Sequence, residues 1–543
     1  MTAAVVDAGD GLALTVPALL RERASRRAEH PLLICDDRVL SYADAEVHSA
    51  ALAKGLLAGG AGPGTHVGLL YPNGPDFVIG WLAAARIGAV AIPLSTFSTS
   101  IELRALLRNA DIELLLATTT FRGRDYVVAV QEAVPGLDFG ARPALRTSST
   151  PALRLVAFDA TVPGVANEWT TNALVATGVT VDDEVLIAAE SNVRPSDRMV
   201  IVHTSGSTSE PKGVIHQHGP LIRHLDNLNE LRRFAEDEVL FSNSPFFWIG
   251  GFAYGLLGTL LAGATLVCSN ATAAAATLDL LERAGPTMVN GFAQSVAHLA
   301  DDPSFAGRDL SSIGRGNLWP IMPEAVRPVD PELRHNMLGM TEAGSVCLAS
   351  GDEGDQPEHR RGSFGRPVPG FEALVVDPDA GAVSGIGEVG ELWFRGPFLM
   401  EGYYGRERHE TFTPDGWYRT GDLFHVDPEG FFYFHGRRGD MIKTAGANVS
   451  PREVEAAIAD VTGLVAHVVG IDDPERGQIV AAALRVPRDR YAPEIDELRV
   501  ALRQRLSAYK VPQRFLILAD DEVPMLSSGK LDARALKERF REV

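Results

Sequence analysis

The sequence predicts an α/β fold, with a large N-terminal domain of two α/β subdomains plus a small β-rich unit, and a small α+β C-terminal domain. In two parts of the chain, helix-like stretches alternate with short apolar strands, which is typical of βαβ units around a parallel sheet. Further on, short strands between Gly and Pro turns replace this alternation. A chain of 543 residues is also too long for one compact core.

The α/β pattern is clearest in two segments. In the first, helices are predicted over 42–57 and 76–87, and strands over 66–71 and 89–93. In the second, a helix is predicted over 251–261, and strands over 238–242, 264–268 and 287–290. Each segment therefore predicts its own α/β subdomain.

From 362 to 434 the pattern indicates a small β-rich unit that packs on the two subdomains. Beyond it, helices are predicted over 451–459, 495–506 and 531–540, and strands near 465–469 and 479–486. We therefore expect an N-terminal domain over 1–437 and a C-terminal domain over 438–543.

Composition and charge exclude several classes of protein. Hydrophobic residues make up 45% and charged residues 22%, which is ordinary globular usage. A net charge of −20 opposes general attraction to nucleic acid. Neither a signal peptide nor a membrane-spanning run is predicted. Three widely spaced cysteines predict no zinc site and no disulfide framework, so we expect a cytoplasmic location.

One loop shows a local chemical signal. The segment TSGSTSEPKG (204–213) follows an apolar strand over 199–202. Small residues let backbone N–H groups approach phosphate oxygens, and Lys212 supplies a mobile charge. It is not a Walker A loop, because Pro211 and Gly213 flank the lysine. Taken alone, the segment is equally compatible with an ordinary Ser/Thr/Gly surface loop.

Lysine is rare in this chain, since only six of its 50 basic residues are lysines. A retained lysine suggests a position where a compact ammonium is needed rather than a planar guanidinium. Three of the six, Lys212, Lys443 and Lys530, lie in the motifs that carry the functional prediction.

The 204–212 segment resembles the core signature of the adenylate-forming superfamily, which contains acyl-CoA synthetases, peptide-synthetase adenylation domains and luciferases. Further motifs of the family follow in order: LGMTE (338–342), GELW (390–393), GWYRTGD (416–422), GR (436–437), Gly446 with Pro451 and Glu453, and SGK (528–530). Because the resemblance extends from about residue 41 to 536, the chain is identified as a member of this superfamily.

The resemblance implies a site for ATP and Mg²⁺. Thr204 and Lys212 would hold the triphosphate, Thr341 the α-phosphate, and Glu342 the metal, which prefers oxygen ligands. Asp422 would accept hydrogen bonds from both ribose hydroxyls. The full predicted nucleotide set is Thr204, Ser205, Gly206, Ser207, Thr208, Lys212, Asn336, Leu338, Gly339, Thr341, Glu342, Asp422, Arg437 and Lys530, with Thr204, Glu342 and Lys530 as catalytic residues.

The resemblance also implies a mobile C-terminal domain that carries Lys530. This lysine would stabilise the charge that builds up when a carboxylate attacks the α-phosphorus. The domain would then rotate about Arg438 and Gly439, and a tunnel for CoA would be lined by Lys443, Gly446 and Ala447. A solvent-facing lysine on a terminal turn is the alternative reading for Lys530.

Three residues depart from the family pattern. Leu338 stands where relatives usually carry a tyrosine that stacks on adenine, and Leu has no ring to stack. Gly439 occupies the hinge position, which is commonly Asp or Lys, so the pivot would be freer. Trp248 replaces a histidine beside the acid, which favours a bulky, hydrophobic acid. The predicted acyl pocket is Trp248, Gly251, Phe252, Gly339 and Met340.

The sequence thus predicts an AMP-forming acid–CoA ligase that uses ATP, Mg²⁺ and CoA. The expected substrate is a hydrophobic acid, such as a fatty or polycyclic one, in metabolism or secondary-metabolite biosynthesis. A homodimer is one of the expected oligomeric states. Three alternatives stay open. One is an enzyme that stops at the acyl-adenylate or loads a carrier-protein thiol, directly or with a partner thiolating enzyme. The others are a degenerate nucleotide- or acyl-binding protein and, more remotely, a luciferase-like oxygenase.

Overall fold

The structure is a computed structural model that describes residues 11–140, 145, 147–204, 211–438, 442–444, 447–449, 451–473, 476–488, 490–506, 510–526 and 531–542; strands and helices are counted within these residues. The chain divides into two compact units. The first comprises 1–361, 367–372 and 395–415, and the second comprises 362–366, 373–394 and 416–543. The predicted domain boundary at 437/438 stays a prediction.

A seven-stranded sheet forms one layer of the first unit. Its strands, in spatial order, are Gly402–Tyr403, Lys212–Gln217, Arg198–Thr204, Val90–Pro93, His66–Leu70, Leu114–Ala117 and Leu155–Phe158. The last five run parallel, and the first two are antiparallel additions at one edge. His66–Leu70 is buried along its whole length, as expected for a central parallel strand.

A six-stranded sheet forms the second subdomain of this unit. In order, its strands are Arg315–Gly316, Met288–Val289, Val239–Phe241, Thr265–Cys268, Pro31–Cys35 and Arg38–Ser41, and only the last pairs antiparallel. The prediction of two α/β subdomains is therefore confirmed. A small hairpin, Thr120–Phe121 with Arg124–Asp125, lies apart from both sheets.

Helices accompany these sheets. Their bounds are Val16–Arg26, Tyr42–Ala58, Pro75–Arg86, Ser100–Asn109, Tyr126–Ala133, Thr171–Thr177, Asp183–Asn192, His218–Leu231, Gly258–Ala262, Ala274–Ala284 and Ala297–Ala300. Tyr42–Ala58 begins at a capping box, in which the Ser41 hydroxyl accepts from the Asp44 N–H and the Asp44 carboxylate accepts from the Ser41 N–H. No helix within the described ranges is both long and apolar enough to cross a membrane.

The helix predicted over 251–261 is helical in the structure, but most of it is not an α-helix. Gly250–Leu257 forms a π-helix, and only Gly258–Ala262 is α-helical. Gly251 approaches the preceding loop so closely that a Cβ atom there would lie 2.2 Å from the Pro245 carbonyl oxygen. Hydrophobic periodicity predicts that this segment is helical, but it does not distinguish the wider π turn from an α turn.

The second unit contains two sheets. The first consists of Glu372–Val376, Gly390–Arg395, Tyr418–Val426 and Phe432–Arg437. The terminal residues Glu372 and Arg395 of its first two strands are assigned to the first unit. The second has the order Ala447–Val449, Ile442–Thr444, Gly477–Arg485, Val465–Asp473, with Arg514–Leu518 also paired to Gly477–Arg485.

Helices cover both faces of this second sheet. Pro451–Thr462 and Ile495–Arg503 pack on the face that carries Val468, Val480 and Leu484. Ala533–Glu542 packs on the opposite face, where Leu536 and Phe540 meet Ile479 and Ala481. Alternate residues of one strand therefore serve two separate cores, which confirms the predicted α+β character of the C-terminal region.

Candidate active site

The predicted phosphate segment begins and ends on two neighbouring strands. Thr204 is the last residue of Arg198–Thr204, Lys212 is the first of Lys212–Gln217, and the two residues are paired across the antiparallel ladder. Both side chains are half-buried. Ser205, Gly206, Ser207 and Thr208 lie outside the described residues. The hairpin thus sets Thr204 and Lys212 side by side at the base of the loop.

Lys212 faces an aromatic ring. Its Nζ lies 5.1 Å from the centroid of the Tyr403 ring, a distance at which a cation is attracted to the ring. Tyr403 reaches this position because Gly402–Tyr403 adds to the edge of the sheet, with Tyr403 opposite Val214. A residue far away along the chain therefore completes the surroundings of Lys212.

Glu342 contacts the hydroxyl group of the same tyrosine. Tyr403 Oη donates to Glu342 Oε1 over 2.7 Å, and the Met400 N–H donates to the Glu342 carbonyl over 2.8 Å. Within the described residues, Glu342 Oε2 receives no hydrogen bond. A half-buried carboxylate with one oxygen held by a neutral donor suits Mg²⁺, which prefers oxygen ligands and keeps several of its waters.

Thr341 is anchored from beneath by a buried histidine. His216 Nε2 donates to the Thr341 carbonyl over 2.7 Å. Burial lowers the pKa of the His216 imidazole to about 4, so it remains neutral and keeps its other nitrogen unprotonated. Gly344 then reverses the chain with φ +72, where a Cβ would come within 2.7 Å of the Leu221 side chain. The backbone that carries Thr341 and Glu342 is therefore tightly held.

Three residues predicted to bind adenine or the acyl group, Leu338, Gly339 and Met340, form a strand that pairs with Ser345–Ala349. Asn336 precedes this strand. Leu338 and Met340 are half-buried, whereas Asn336 and Gly339 are exposed. The Tyr254 hydroxyl, on the π-helix, contacts Met337 Sδ at 3.8 Å. The nucleotide and acyl roles of residues 336 and 338–340 stay predictions.

The predicted acyl-pocket residues differ in burial. Trp248 is half-buried and meets the rings of Phe247 and Phe292 edge to face at 5.7 and 6.5 Å. Phe252, by contrast, is fully buried with its ring 5.1 Å from that of Trp81. Gly251 lies at the start of the π-helix. Trp248 therefore borders accessible space, and Phe252 belongs to the core beneath it.

Asp422 and Arg437 form a pair in the second unit. They stand opposite each other on Tyr418–Val426 and Phe432–Arg437, with Arg437 Nε donating to Asp422 Oδ1 over 2.7 Å. The Asp422 side chain is 5% exposed and that of Arg437 is 60% exposed. The carboxylate is thus held from below in one orientation, and the guanidinium reaches solvent.

Arg438, one of the two predicted hinge residues, is bonded to the same sheet. Its N–H donates to the Gly421 carbonyl over 2.7 Å, and its guanidinium lies 3.5 Å from the buried Glu391 carboxylate. Glu391 in turn accepts from the Gly421 N–H over 3.0 Å. Lys443 and Ala447 lie on the paired strands Ile442–Thr444 and Ala447–Val449. Gly439, Gly446 and Lys530 lie outside the described residues.

Sequence reasoning missed Tyr403, His216 and Glu391 as parts of these clusters. Tyr403 lies in a short Gly-Tyr-Tyr-Gly turn segment without strand periodicity, and His216 in an apolar strand. Their contacts depend on sheet pairing, which local pattern does not reveal. Glu391 falls inside the GELW motif, so the motif could have indicated that this residue has a role.

Two α/β sheets, with Lys212 at the base of the 204–213 segment and the Glu342 carboxylate on the same tyrosine, agree with the adenylate-forming class of enzyme that the motifs predict. Residues 20–404 match the family of AMP-binding enzymes, and residues 453–530 match the AMP-binding enzyme C-terminal domain. The chain therefore belongs to the AMP-binding enzyme family. It is an AMP-forming acid–CoA ligase that uses ATP, Mg²⁺ and CoA.

Named relatives agree with this assignment. The chain is 31% identical to a feruloyl-CoA synthase of Amycolatopsis sp, over 92% of this chain and 94% of the relative. It is 27% identical to the mitochondrial medium-chain acyl-CoA ligase ACSF2 of Mus musculus, over 93% and 83%. The crystal structure of the anthranilate CoA ligase AuaEII with anthranoyl-AMP shares the fold, with a TM-score of 0.79, 23% identity and coverage of 97% and 98%.

Proposed function

We propose that this ligase activates a bulky, hydrophobic carboxylic acid, and that Thr204, Lys212, Glu342 and Asp422 each take part in binding the nucleotide and its metal. The observation that carries the proposal is that Lys212 and Glu342 both contact Tyr403. A cation and a carboxylate that are 130 positions apart in the chain thus occur in one cluster, as a triphosphate with its metal requires.

In the first step, a carboxylate oxygen of the acid attacks the α-phosphorus of ATP, and the bond from that phosphorus to the bridging oxygen breaks. Pyrophosphate leaves and acyl-AMP forms. Lys212 and the hairpin would hold the leaving phosphates, and Lys530 would offset charge on the phosphoryl oxygens. Mg²⁺, when bound, supplies positive charge beside those oxygens, and Glu342 would hold it.

In the second step, the CoA thiol releases its proton to solvent and its sulfur attacks the acyl carbonyl. The bond between the carbonyl carbon and the AMP oxygen breaks, which releases AMP and the thioester. Asp422 would hold the ribose hydroxyls through both steps. Between the two steps, residues 438–543 would rotate about Arg438 and Gly439. Lys443, Gly446 and Ala447 would then line the path of CoA.

The class of acid follows from the aromatic residues around Trp248. The Trp248 ring meets Phe247 and Phe292, and Phe292 is 65% exposed. Among the described residues, no Arg or Lys forms a cation–π contact with any of these three rings. Apolar surface of this kind favours a fatty or polycyclic acid over a short or charged one. The three cysteines are all buried. The cytoplasmic location, the homodimer and the carrier-protein acceptor stay predictions.

The direct test measures acid-dependent release of pyrophosphate and AMP with ATP and Mg²⁺, with and without CoA, over fatty, aromatic, polycyclic and short polar acids. We expect acyl-CoA by mass spectrometry, with the highest kcat/KM for a bulky hydrophobic acid. An acyl-adenylate that is indifferent to CoA would support the alternative of an enzyme that stops at the acyl-adenylate or loads a carrier-protein thiol. Preference for short polar acids would contradict the assignment of the pocket.

A further inference from the structure

Tyr403 contacts both charged residues of the proposed triphosphate site, but with different parts of its side chain. The ring faces Lys212 Nζ at 5.1 Å, and the hydroxyl donates to Glu342 Oε1 over 2.7 Å. Tyr403 is 7% exposed, and the Arg406 guanidinium carbon lies 5.9 Å from the same ring. One buried side chain therefore stands among two cations and a carboxylate.

Opposite charges that share a half-buried cluster attract each other strongly, because the local dielectric constant is well below that of water. A direct pair between Lys212 and Glu342 would neutralise both groups and compete with phosphate for the ammonium and with Mg²⁺ for the carboxylate. Within the described part of the chain, these two residues form no ion pair with each other. Each is engaged by Tyr403 instead.

We propose that Tyr403 is a positioning residue that orients Glu342 for Mg²⁺ and keeps Lys212 apart from it for phosphate. The inference rests on the proposed function and extends it. The phenol is a neutral donor, so it occupies one carboxylate oxygen without cancelling the negative charge that a metal requires. The ring attracts the ammonium more weakly than a carboxylate would, so Lys212 stays available to a phosphate.

The backbone around Tyr403 is arranged for this role. The Met400 N–H donates to the Glu342 carbonyl over 2.8 Å, so one short segment holds both the main chain and the side chain of Glu342. Tyr403 also pairs with Val214 on the strand that begins at Lys212. Both partners are therefore fixed relative to the tyrosine by backbone hydrogen bonds.

The neighbouring residue supplies a matched control. Tyr404 is the next residue, and its hydroxyl donates to Asp111 Oδ2 over 2.7 Å, away from both Lys212 and Glu342. Tyr403→Phe and Tyr404→Phe each remove one hydroxyl that bonds a carboxylate, but only the first touches the proposed site. Circular dichroism and thermal unfolding establish that each variant is folded.

The experiment measures binding of α,β-methylene-ATP, whose α–β linkage is not cleaved by adenylation, by calorimetry in excess Mg²⁺ and in EDTA. For Tyr403→Phe we expect the Mg²⁺-dependent gain in affinity to shrink roughly tenfold, with affinity in EDTA unchanged. The Mg²⁺ concentration for half-maximal acid-dependent pyrophosphate release rises by a similar factor. Tyr404→Phe matches the wild type in both measurements.

A Tyr403→Phe variant that behaves like Tyr404→Phe overturns the inference. If Tyr403→Phe does not fold, Glu342→Gln tests the metal half without altering the tyrosine: a Mg²⁺-dependent gain that persists in this variant overturns the inference. Tyr403→Leu tests the ring, and we expect weaker binding even in EDTA. A wild-type protein that binds the analogue with Mg²⁺ but activates no acid contradicts the proposed function alone.

Discussion

Arg437 holds the buried carboxylate of Asp422 from the neighbouring strand, with 2.7 Å between Arg437 Nε and Asp422 Oδ1. Only 5% of the Asp422 side chain is exposed, and the pair is fixed by cross-strand register. A carboxylate held in this way has a fixed orientation, which recognition of two adjacent ribose hydroxyls requires.

Asp422→Asn should therefore weaken nucleotide binding. The amide keeps the size of the side chain but loses the charge and one acceptor, and a hydrogen bond to a charged group contributes enough to expect at least about a tenfold rise in the Kd of AMP. Calorimetry with AMP measures the change. Glu372→Gln is the control, because it breaks another cross-strand arginine pair, to Arg395, at an exposed position. Equal Kd values for the two variants would contradict the ribose assignment.

Two adjacent glycines of the π-helix should respond differently to alanine. At Gly251 a Cβ would lie 2.2 Å from the Pro245 carbonyl oxygen, whereas at Gly250 nothing lies within 4 Å. Gly251→Ala should lower the apparent Tm by about 5 °C or more, because backbone must move to accept the methyl group. Gly250→Ala should leave Tm unchanged or raise it slightly. Differential scanning calorimetry decides; equal shifts would show that the close approach at Gly251 is unimportant.

A buried histidine should make stability depend on pH. His218 is fully buried, its Nδ1 accepts from the Val16 N–H over 3.2 Å, and burial lowers its pKa from 6.5 to about 3. Because the folded pKa is the lower one, the unfolded chain binds the proton first. Stability is therefore complete above about pH 6.5 and falls at lower pH by roughly 1.4 kcal/mol per unit for this group.

His218→Asn keeps an acceptor near Nδ1 but removes the titration. We expect its urea-unfolding midpoint to change less between about pH 7.5 and pH 5 than that of the wild type, whatever the absolute stabilities. His359→Asn, at an exposed position, serves as the comparison and should retain the wild-type pH dependence. A wild-type slope in His218→Asn would contradict the prediction.

The catalytic role of Lys530 is predicted from its sequence motif alone. Lys530→Ala should slow acid-dependent pyrophosphate release by about 100-fold or more, since a cation aimed at developing phosphoryl charge is lost, while binding of AMP changes little. Lys537→Ala, on the helix Ala533–Glu542, removes the same ammonium at a position outside the motif and should be nearly as active as the wild type. Comparable losses in both variants would refute a catalytic role for Lys530.

Local signals predicted many elements closely. The helix predicted over 42–57 is Tyr42–Ala58, and the strand predicted over 66–71 is His66–Leu70. Both signals depend on neighbouring residues only: a capping residue followed by helix formers, and a short apolar run. The segment 251–261 was predicted as one helix, and the structure divides it into a π-helix and an α-helix. Hydrophobic periodicity does not distinguish these two helix types.

By itself, the sequence determined the fold class, the family and the chemistry, because the order and spacing of the motifs are properties of the linear chain. Only the tertiary structure decided which side chain stands between Lys212 and Glu342. Tyr403 arrives there through the pairing of Gly402–Tyr403 with Lys212–Gln217, a contact across 189 positions of sequence between Val214 and Tyr403. Backbone hydrogen bonds form between any two strands of suitable register, so the partner of an edge strand is chosen by the packing of the whole unit and not by its own residues.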